Sequence, residues 1–327
     1  MPTLRHRLDF KSVVALFINS LQLAARLFFY CLVCCIFLFQ VAWAGTCNVG
    51  VILSENSGAY IEFSDALRKN LQDTDINLCV ADTNSTSPIA ANLVIAVGVK
   101  AANFAAASNA NAVLNVMIPL SGHRKLLQDY PKRNNSSQFS SIYLDQPIER
   151  QLNLIATAFP DRHKLGILFD ATYSNELEQL RKYIGEYRIE LFTQEINATT
   201  SLFEGLQNVL LHSDVLLAIP APEIYNTSSL RNILVSTYQE GIPLVGFSAS
   251  YVKAGAMCAV FSTPPQFAAQ AKLLLQKFME TGSLPPAQFP KYYAVTVNER
   301  VAQSLGISIK SADEIYSKMS STKRRLP

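Results

Sequence analysis

The stretch NLVIAVGVKAANFAAASNANAVLNVMIPLSG, residues 92–122, decides the fold class. Leu93–Val97 is an unbroken apolar run of strand length, and Val113–Met117 is a second. Between them Lys100–Ala107 is alanine-rich and reads as a helix. A strand, a helix and a strand in that order form a crossover, and crossovers join parallel strands. Neither strand alternates apolar with polar residues. That is the pattern of strands covered by helices on both faces.

The same rhythm extends outward from this unit. Upstream, Asn48–Leu53 and Ile76–Val80 read as strands around a helix over Tyr60–Gln72. Ile61, Ser64, Ala66, Leu67 and Leu71 fall near one face of that helix. Downstream, DYPKRNNSSQ (129–138) breaks the rhythm with turn-forming residues. Ser140–Leu144 is then a short strand, and Pro147–Phe159 is a helix with proline in its first turn. A second series follows. Its strands are Lys164–Phe169, Glu190–Gln194, Val215–Ile219, Pro243–Phe247 and Ala259–Phe261. Its helices are Asn175–Tyr187, Leu202–Leu211, Ser228–Gln239 and Pro265–Met279. A Pro-rich segment, a strand at Tyr292–Val297 and a last helix close the series, without a repeated motif at fixed period. The expectation is α/β: two doubly wound parallel-sheet lobes joined by crossing segments near 140–147 and 284–292. The first lobe spans residues 45–143 and is completed by 284–307. The second spans 144–283, and 308–327 is a polar tail that frays from Ser317.

The first 44 residues stand apart. Arg5, Arg7, Lys11 and Arg26 face a single acid, Asp9, and Leu27–Ala44 is an uncharged run ending in Ala42-Trp43-Ala44. A basic leader, an apolar core and a small-x-small site spell a secretory signal peptide. Eighteen uncharged residues also suffice to span a bilayer, so a retained anchor is the rival reading. No basic stop follows the run, which favours cleavage. A lipid-bearing Cys47 fits less well, because Thr46 precedes it. Removing residues 1–44 turns 28 basic and 25 acidic residues into 24 of each. The mature chain is then formally neutral, which gives no reason to expect a nucleic acid or an anionic membrane as partner.

Cys31, Cys34 and Cys35 leave with the leader, and Cys47, Cys79 and Cys258 remain without zinc-like spacing. Cys47 and Cys79 belong to the first two strands, which are neighbours in a flavodoxin-like order. A Cys47–Cys79 disulfide with Cys258 free and buried is the expectation for an oxidising compartment.

Enzyme signatures are sparse. His123, His163 and His212 each stand alone in a different segment, where a histidine is ordinarily a solvated side chain. There is no nucleophile elbow, phosphate loop, dinucleotide fingerprint or HExxH. The informative positions are the strand ends, because open α/β sheets bind ligands beyond their carboxyl edges. In the first half these are Ser54 and Glu55 with Tyr60 nearby, Gly98 with Val99, and the loop from Ile118 to Ser121. In the second half they are Asp170, Thr172 and Tyr173, then Pro220, Ala221 and Glu223, then Phe247, Ser248 and Tyr251. Hydroxyls, amides and aromatics at helix N-termini make a binding palette, although the same residues serve as ordinary caps. Helix starts at Gly98 and Ser248 would offer backbone N–H groups to a carboxylate. Glu55 would meet an ammonium, and Tyr60, Tyr173, Phe247 and Tyr251 would supply walls. The expected ligand is a small zwitterion such as an amino acid, with an aromatic side chain as one option.

SSIYLDQPIERQLNLIATAFPDRHKLGILFD (140–170) resembles the lobe-crossing region of ABC-type solute-binding proteins with the type I periplasmic-binding fold. DVLLAIPAPEIYNTSSLRNILVSTYQEGIPLVGFSASYVKAGAMCAVFSTPPQFAAQA (214–271) is closer still. It resembles an uncharacterised branch of the family that includes tryptophan- and tyrosine-type ABC transporter binding proteins. IPLVGFSASYVKAGA is its most specific piece, and the resemblance covers Cys47–Ile307. The chain departs from those relatives in two places. It has SENSGAY (54–60) where they carry a His-Pro loop, and Thr263 where many place Asp. The resemblance implies a periplasmic, monomeric binding protein without cofactor or metal. Such a protein delivers a small molecule, an amino acid or aromatic compound, to an ABC transporter permease. A ligand sensor engaging a membrane receptor or kinase is the alternative. An enzyme on this fold would draw its acid from Glu55, Asp170 or Glu223.

Overall fold

The computed structural model describes residues 48–56, 58–83, 91–134 and 137–322. The leader and Cys47 lie outside them, and the expectations placed there are not addressed by the fold. Among the described residues no helix is long and apolar enough to cross a membrane.

The first sheet is built from β1 (Val49–Leu53), β2 (Leu78–Asp82), β3 (Leu93–Val97), β4 (Ala112–Ile118) and β5 (Phe139–Tyr143), all parallel, in the order β2-β1-β3-β4-β5. β1 and β3 are buried at every position, as unbroken apolar strands in mid-sheet must be. β2 is the half-exposed edge. Helices α1 (Gly58–Asn70), α2 (Val99–Ala107) and α3 (Leu120–Asp129) follow β1, β3 and β4. α1 buries Phe63 and Leu67 on one sheet face, whereas Ile61, assigned to that face from sequence, points outward. The alanines of α2 and Leu126 of α3 pack on the other face.

The second sheet comprises β6 (Lys164–Phe169), β7 (Glu190–Glu195), β8 (Val215–Leu217), β9 (Leu244–Gly246), β10 (Cys258–Phe261) and β11 (Ala294–Val297). Its order is β11-β10-β9-β8-β6-β7, with β11 antiparallel to β10 and the rest parallel. The helices from this half are α4 (Ile148–Ala158), α5 (Ser174–Tyr183), α6 (Leu202–His212), α7 (Thr227–Gln239), α8 (Ala249–Ala254), α9 (Pro264–Thr281), α10 (Glu299–Ser304) and α11 (Ala312–Thr322). Two doubly wound parallel-sheet lobes are therefore present, as the sequence suggested.

The lobe boundaries need correction in three places. Helix α9 belongs to the first lobe: Phe267, Ala271, Leu274 and Leu275 share a core with Phe63, Leu67 and Ile95. Its i, i+4, i+7, i+8 stripe fits beside α1, which would otherwise leave its own apolar face exposed. The strand after it, expected to complete the first lobe, joins the second instead. Val297 pairs with Cys258 and Ala294 with Phe261. The third correction is the tail. α11 is a docked helix, with Ile315 and Met319 buried one turn apart in the second core. Ser311 starts it by accepting from the Glu314 N–H at 3.3 Å, while Glu314 Oε2 accepts from the Ser311 N–H at 3.0 Å. This reciprocal box was legible as S-x-x-E.

The chain thus passes between lobes three times: after β5, after β10 and after α9. The passages are laced side by side. Gln146 of the first donates to Ser262 Oγ of the second at 3.0 Å, and Ser262 donates to the Tyr292 carbonyl of the third at 2.6 Å. Buried Gln270 on α9 accepts from Lys291 N–H at 2.7 Å and donates to the Phe289 carbonyl. Burial makes such bonds costly to leave unmade.

Candidate functional site

Both sheets turn their carboxyl edges toward a cavity of about 780 Å³ between the lobes. The first lobe contributes Ala59 and Tyr60 from the start of α1, Met117 from the end of β4 and Leu144 just after β5. The second contributes Tyr225, Asn226, a face of α7, and Phe247 to Ala254 around α8. The volume falls within the range of small-molecule sites.

On the first-lobe side, Ser54 follows β1 and is buried. Its Oγ accepts from the Ala101 N–H at 3.0 Å, so it caps α2 from a neighbouring strand. Gly98 sits between, at φ 85°. A Cβ there would lie 2.6 Å from Ser54 Oγ and 2.9 Å from the Tyr60 ring, so only glycine fits. Gly98 therefore leaves the room that Tyr60 occupies, Ser54 serves as a cap, and neither is among the residues that line the cavity. Burial, with the nearby Glu55 charge second, raises the Tyr60 pKa. Met117 is the other special residue. It stands at φ 60° where the pairing of β4 with β5 shifts register between Val116 and Ile118. A non-glycine residue held in this region costs about 1–3 kcal/mol and marks sites where the surroundings impose the conformation.

On the second-lobe side an aromatic group forms the wall. Phe247 and Tyr251 have ring centroids 4.3 Å apart, and Tyr225 meets Phe247 edge-on at 6.5 Å. Tyr251 donates its hydroxyl to the Tyr225 carbonyl at 2.9 Å. Burial pushes the Tyr251 phenol up to about 12 and raises that of Tyr225 as well, so both stay neutral. Ser248 caps α8 by accepting from the Tyr251 N–H at 3.4 Å and shares a 2.7 Å hydroxyl contact with Ser250. On α7, Thr227, Leu230, Arg231, Leu234 and Val235 face the cavity at helical spacing. Arg231 is the only charged side chain of the lining among the described residues. Among the described residues it enters no ion pair or side-chain hydrogen bond.

Of the thirteen ligand-binding residues expected from sequence, the structure brings four to this cavity: Tyr60, Phe247, Ser248 and Tyr251. Glu55 faces outward with its Oε1 3.6 Å from Lys100 Nζ, so it is not placed to meet an ammonium in the cavity. Val99 is on the surface, 41% exposed. Asp170 caps the short turn of residues 171–173, accepting from the Thr172 N–H at 2.9 Å and from the Thr172 hydroxyl. Thr172 is exposed, and Tyr173 is buried in the second core with its pKa raised by burial. Pro220 and Ala221 are buried in the turn after β8, where the Ala221 carbonyl accepts from the Tyr225 N–H at 2.8 Å. These residues hold loops that carry the site. Sequence reading missed Met117, Leu144, Tyr225 and the α7 face. The signal for α7 was a second apolar stripe, Leu230 and Leu234, beside the buried Ile233 and Thr237.

A polar cluster joins the lobes elsewhere. Asp145, in the first crossing, accepts from the Leu120 N–H at 2.7 Å and so caps α3. Arg124 on α3 pairs with Glu176 on α5 at 2.7 Å, and the second Glu176 oxygen is buried without a partner. Burial raises the Asp145 pKa to about 7 against the opposing Leu120 bond. His123, 2.7 Å from Ser141 Oγ through Nδ1, is buried, not solvated, and burial lowers it to about 4. No group of three or more metal-ligating side chains is assembled among the described residues.

Solved structures share this architecture. The ABC domain in complex with L-Trp from Streptococcus pneumonia matches with a TM-score of 0.61 at 16% identity, over 84% of this chain and 98% of that one. A ligand-free, open substrate-binding protein with adhesive properties from Clostridium difficile matches at 0.62 and 14%, over 81% and 96%. A conserved domain protein from Vibrio cholerae matches at 0.58 and 17%, over 84% and 98%. No curated protein matches the chain. At these identities the structures speak for the fold, and the family rests on a model of ABC transporter substrate binding proteins that matches residues 131–321. That span is more than half of the sequence, and the chain belongs to the ABC transporter substrate-binding protein family.

Proposed function

We propose that the protein is exported to the periplasm, captures a small solute between its lobes and hands it to an ABC transporter permease, without chemistry of its own. The observation that carries this reading is the cavity of about 780 Å³ whose walls come from both lobes, with three laced crossings that can bend together. Closure of lobes around a ligand is the established mechanics of such a hinge. The leader, cleaved after Ala44, would supply export. In this reading Cys47 is the partner of Cys79 in the exported chain, supported by the disulfide-bonded state of Cys79 and the buried free thiol of Cys258. A fold neighbour holds L-Trp, a solute of a size this cavity admits.

The test is mass spectrometry of small molecules released from protein purified out of its native host, with solution scattering before and after the ligand is restored. A retained solute and a smaller radius of gyration on its return are expected. Protein that retains nothing, and changes shape with no compound of a transport-substrate library, would defeat the proposal.

A further inference from the structure

We infer that the cavity between the lobes selects an aromatic monocarboxylate that lacks an α-ammonium group, with Arg231 receiving the carboxylate. This rests on the solute-binding reading and narrows it. Three observations bear on the ligand's charge. Among the described residues Arg231 is the one charged side chain in the lining, and no acid pairs with it. No Asp or Glu among the described residues lines the cavity. The nearby acids are already engaged: Glu55 with Lys100, and Asp145 with the Leu120 amide. An ammonium carried into this space would lose its water without gaining a carboxylate, which is costly. A carboxylate would gain a guanidinium fork, for which planar acids are the matching partner.

The ring follows from the walls. Phe247 and Tyr251 present a tilted aromatic pair, Tyr60 stands opposite on the first lobe, and Met117 completes an apolar end. Aromatic faces and thioethers favour a flat π-system. Arg231 lies one turn from Thr227 on the same face of α7, so a hydroxyl donor accompanies the guanidinium at the charged end.

Calorimetry on the full exported chain, freed of bound solute by unfolding and refolding, tests this with three probes sharing one ring: indole-3-acetate, L-tryptophan and 3-methylindole. Indole-3-acetate is expected to bind about tenfold or more tightly than either of the others, the scale of one charge-assisted contact. Arg231→Gln should remove that advantage while leaving 3-methylindole binding and the unfolding midpoint unchanged. Tryptophan binding as tightly as indole-3-acetate, or an unaltered Arg231→Gln profile, overturns the anionic class and leaves solute capture standing. Binding of none of the three also overturns it. Whether solute capture itself falls is then read from the native-host mass spectrum.

Discussion

Arg124 Nη1 lies 2.7 Å from Glu176 Oε1 and so ties helix α3 of the first lobe to helix α5 of the second. The glutamate side chain is 5% exposed and the arginine 31%, so the acid is the more deeply committed partner. Arg124→Ala strands a buried carboxylate and should cost about 2–3 kcal/mol, below the cost for a fully buried pair because solvent reaches the arginine side. Glu176→Gln should cost less. The double variant Arg124→Ala with Glu176→Gln should recover about 1 kcal/mol relative to additivity, measured by urea unfolding.

Asp145 and His123 pull the pH dependence of stability in opposite directions. The folded pKa of Asp145 is raised to about 7 from 3.8, so its contribution is complete below about 4 and is lost as pH rises toward 7. The folded pKa of His123 is lowered to about 4 from 6.5, so its contribution is present above 6.5 and is lost as pH falls toward 4. The two slopes offset each other in the wild-type protein between pH 4 and 6.5. Asp145→Asn should therefore gain stability as pH rises through that window, and His123→Gln should lose it. Arg124 and Glu176 face the same cluster and are retained in both variants. Denaturant midpoints at half-unit pH steps check this: a wild-type profile that slopes across the window, or a variant profile that stays parallel to the wild type, would show that the corresponding shift is absent.

Gly98→Ala should destabilise the protein by about 1–3 kcal/mol, because it combines a positive φ with a Cβ pressed against Ser54 and Tyr60. Ser54→Ala removes only a helix cap and should cost about 1 kcal/mol. Ligand affinity should fall in Gly98→Ala, where Tyr60 is displaced, and hold in Ser54→Ala. Paired thermal melts and calorimetry separate the two.

Glu55→Ala should leave affinity for the native solute unchanged, since Glu55 pairs with Lys100 outside the cavity. Ser248→Trp should abolish binding by filling the space beside Phe247 and Tyr251 while the melting temperature stays within a few degrees. Calorimetry of both variants against the solute recovered from the native host is the check.

Protein recovered from the exported fraction should begin at Gly45 and titrate one thiol under denaturing, non-reducing conditions, that of Cys258. Terminal sequencing that finds the run Leu27–Ala44 intact, or a count of three thiols, would contradict the proposed export and the Cys47–Cys79 bridge.

The strands were legible because their apolar runs are continuous, and β6 begins and ends where its sequence does. Helix α3 was not. Its LSGHRKLLQD carries a glycine and six polar or charged side chains, and its first amide is satisfied by Asp145, 25 residues away in the chain. Lobe membership of α9 was equally hidden. An apolar stripe announces that a helix must pack, but Phe267 and Leu274 do not name the sheet that receives them. Of the expected residues, Tyr60, Phe247, Ser248 and Tyr251 line the cavity, and they stood out in sequence because strand ends and aromatic residues coincide there. Ser54, Gly98 and Asp170 look the same in sequence, yet caps and ligand contacts draw on one set of side chains. Met117 left no signal, because its backbone is set by the pairing of β4 with β5.

The threefold passage of the chain has a consequence for how the protein is made. On the ribosome the order of emergence is first lobe, second lobe, first lobe, second lobe. Phe63 and Leu67 stay uncovered until Phe267 and Leu274 appear some 200 residues later. By then the strands from Lys164 to Phe261 have left the exit tunnel, while their sheet still lacks its edge strand at Ala294–Val297. No fragment that starts at the N-terminus and stops before Pro264 contains a finished lobe, so a nascent chain halted there presents two incomplete cores to chaperones and proteases. Secretion of an unfolded chain, with both cores closing together after its last helix arrives, is the synthesis route that this connectivity favours.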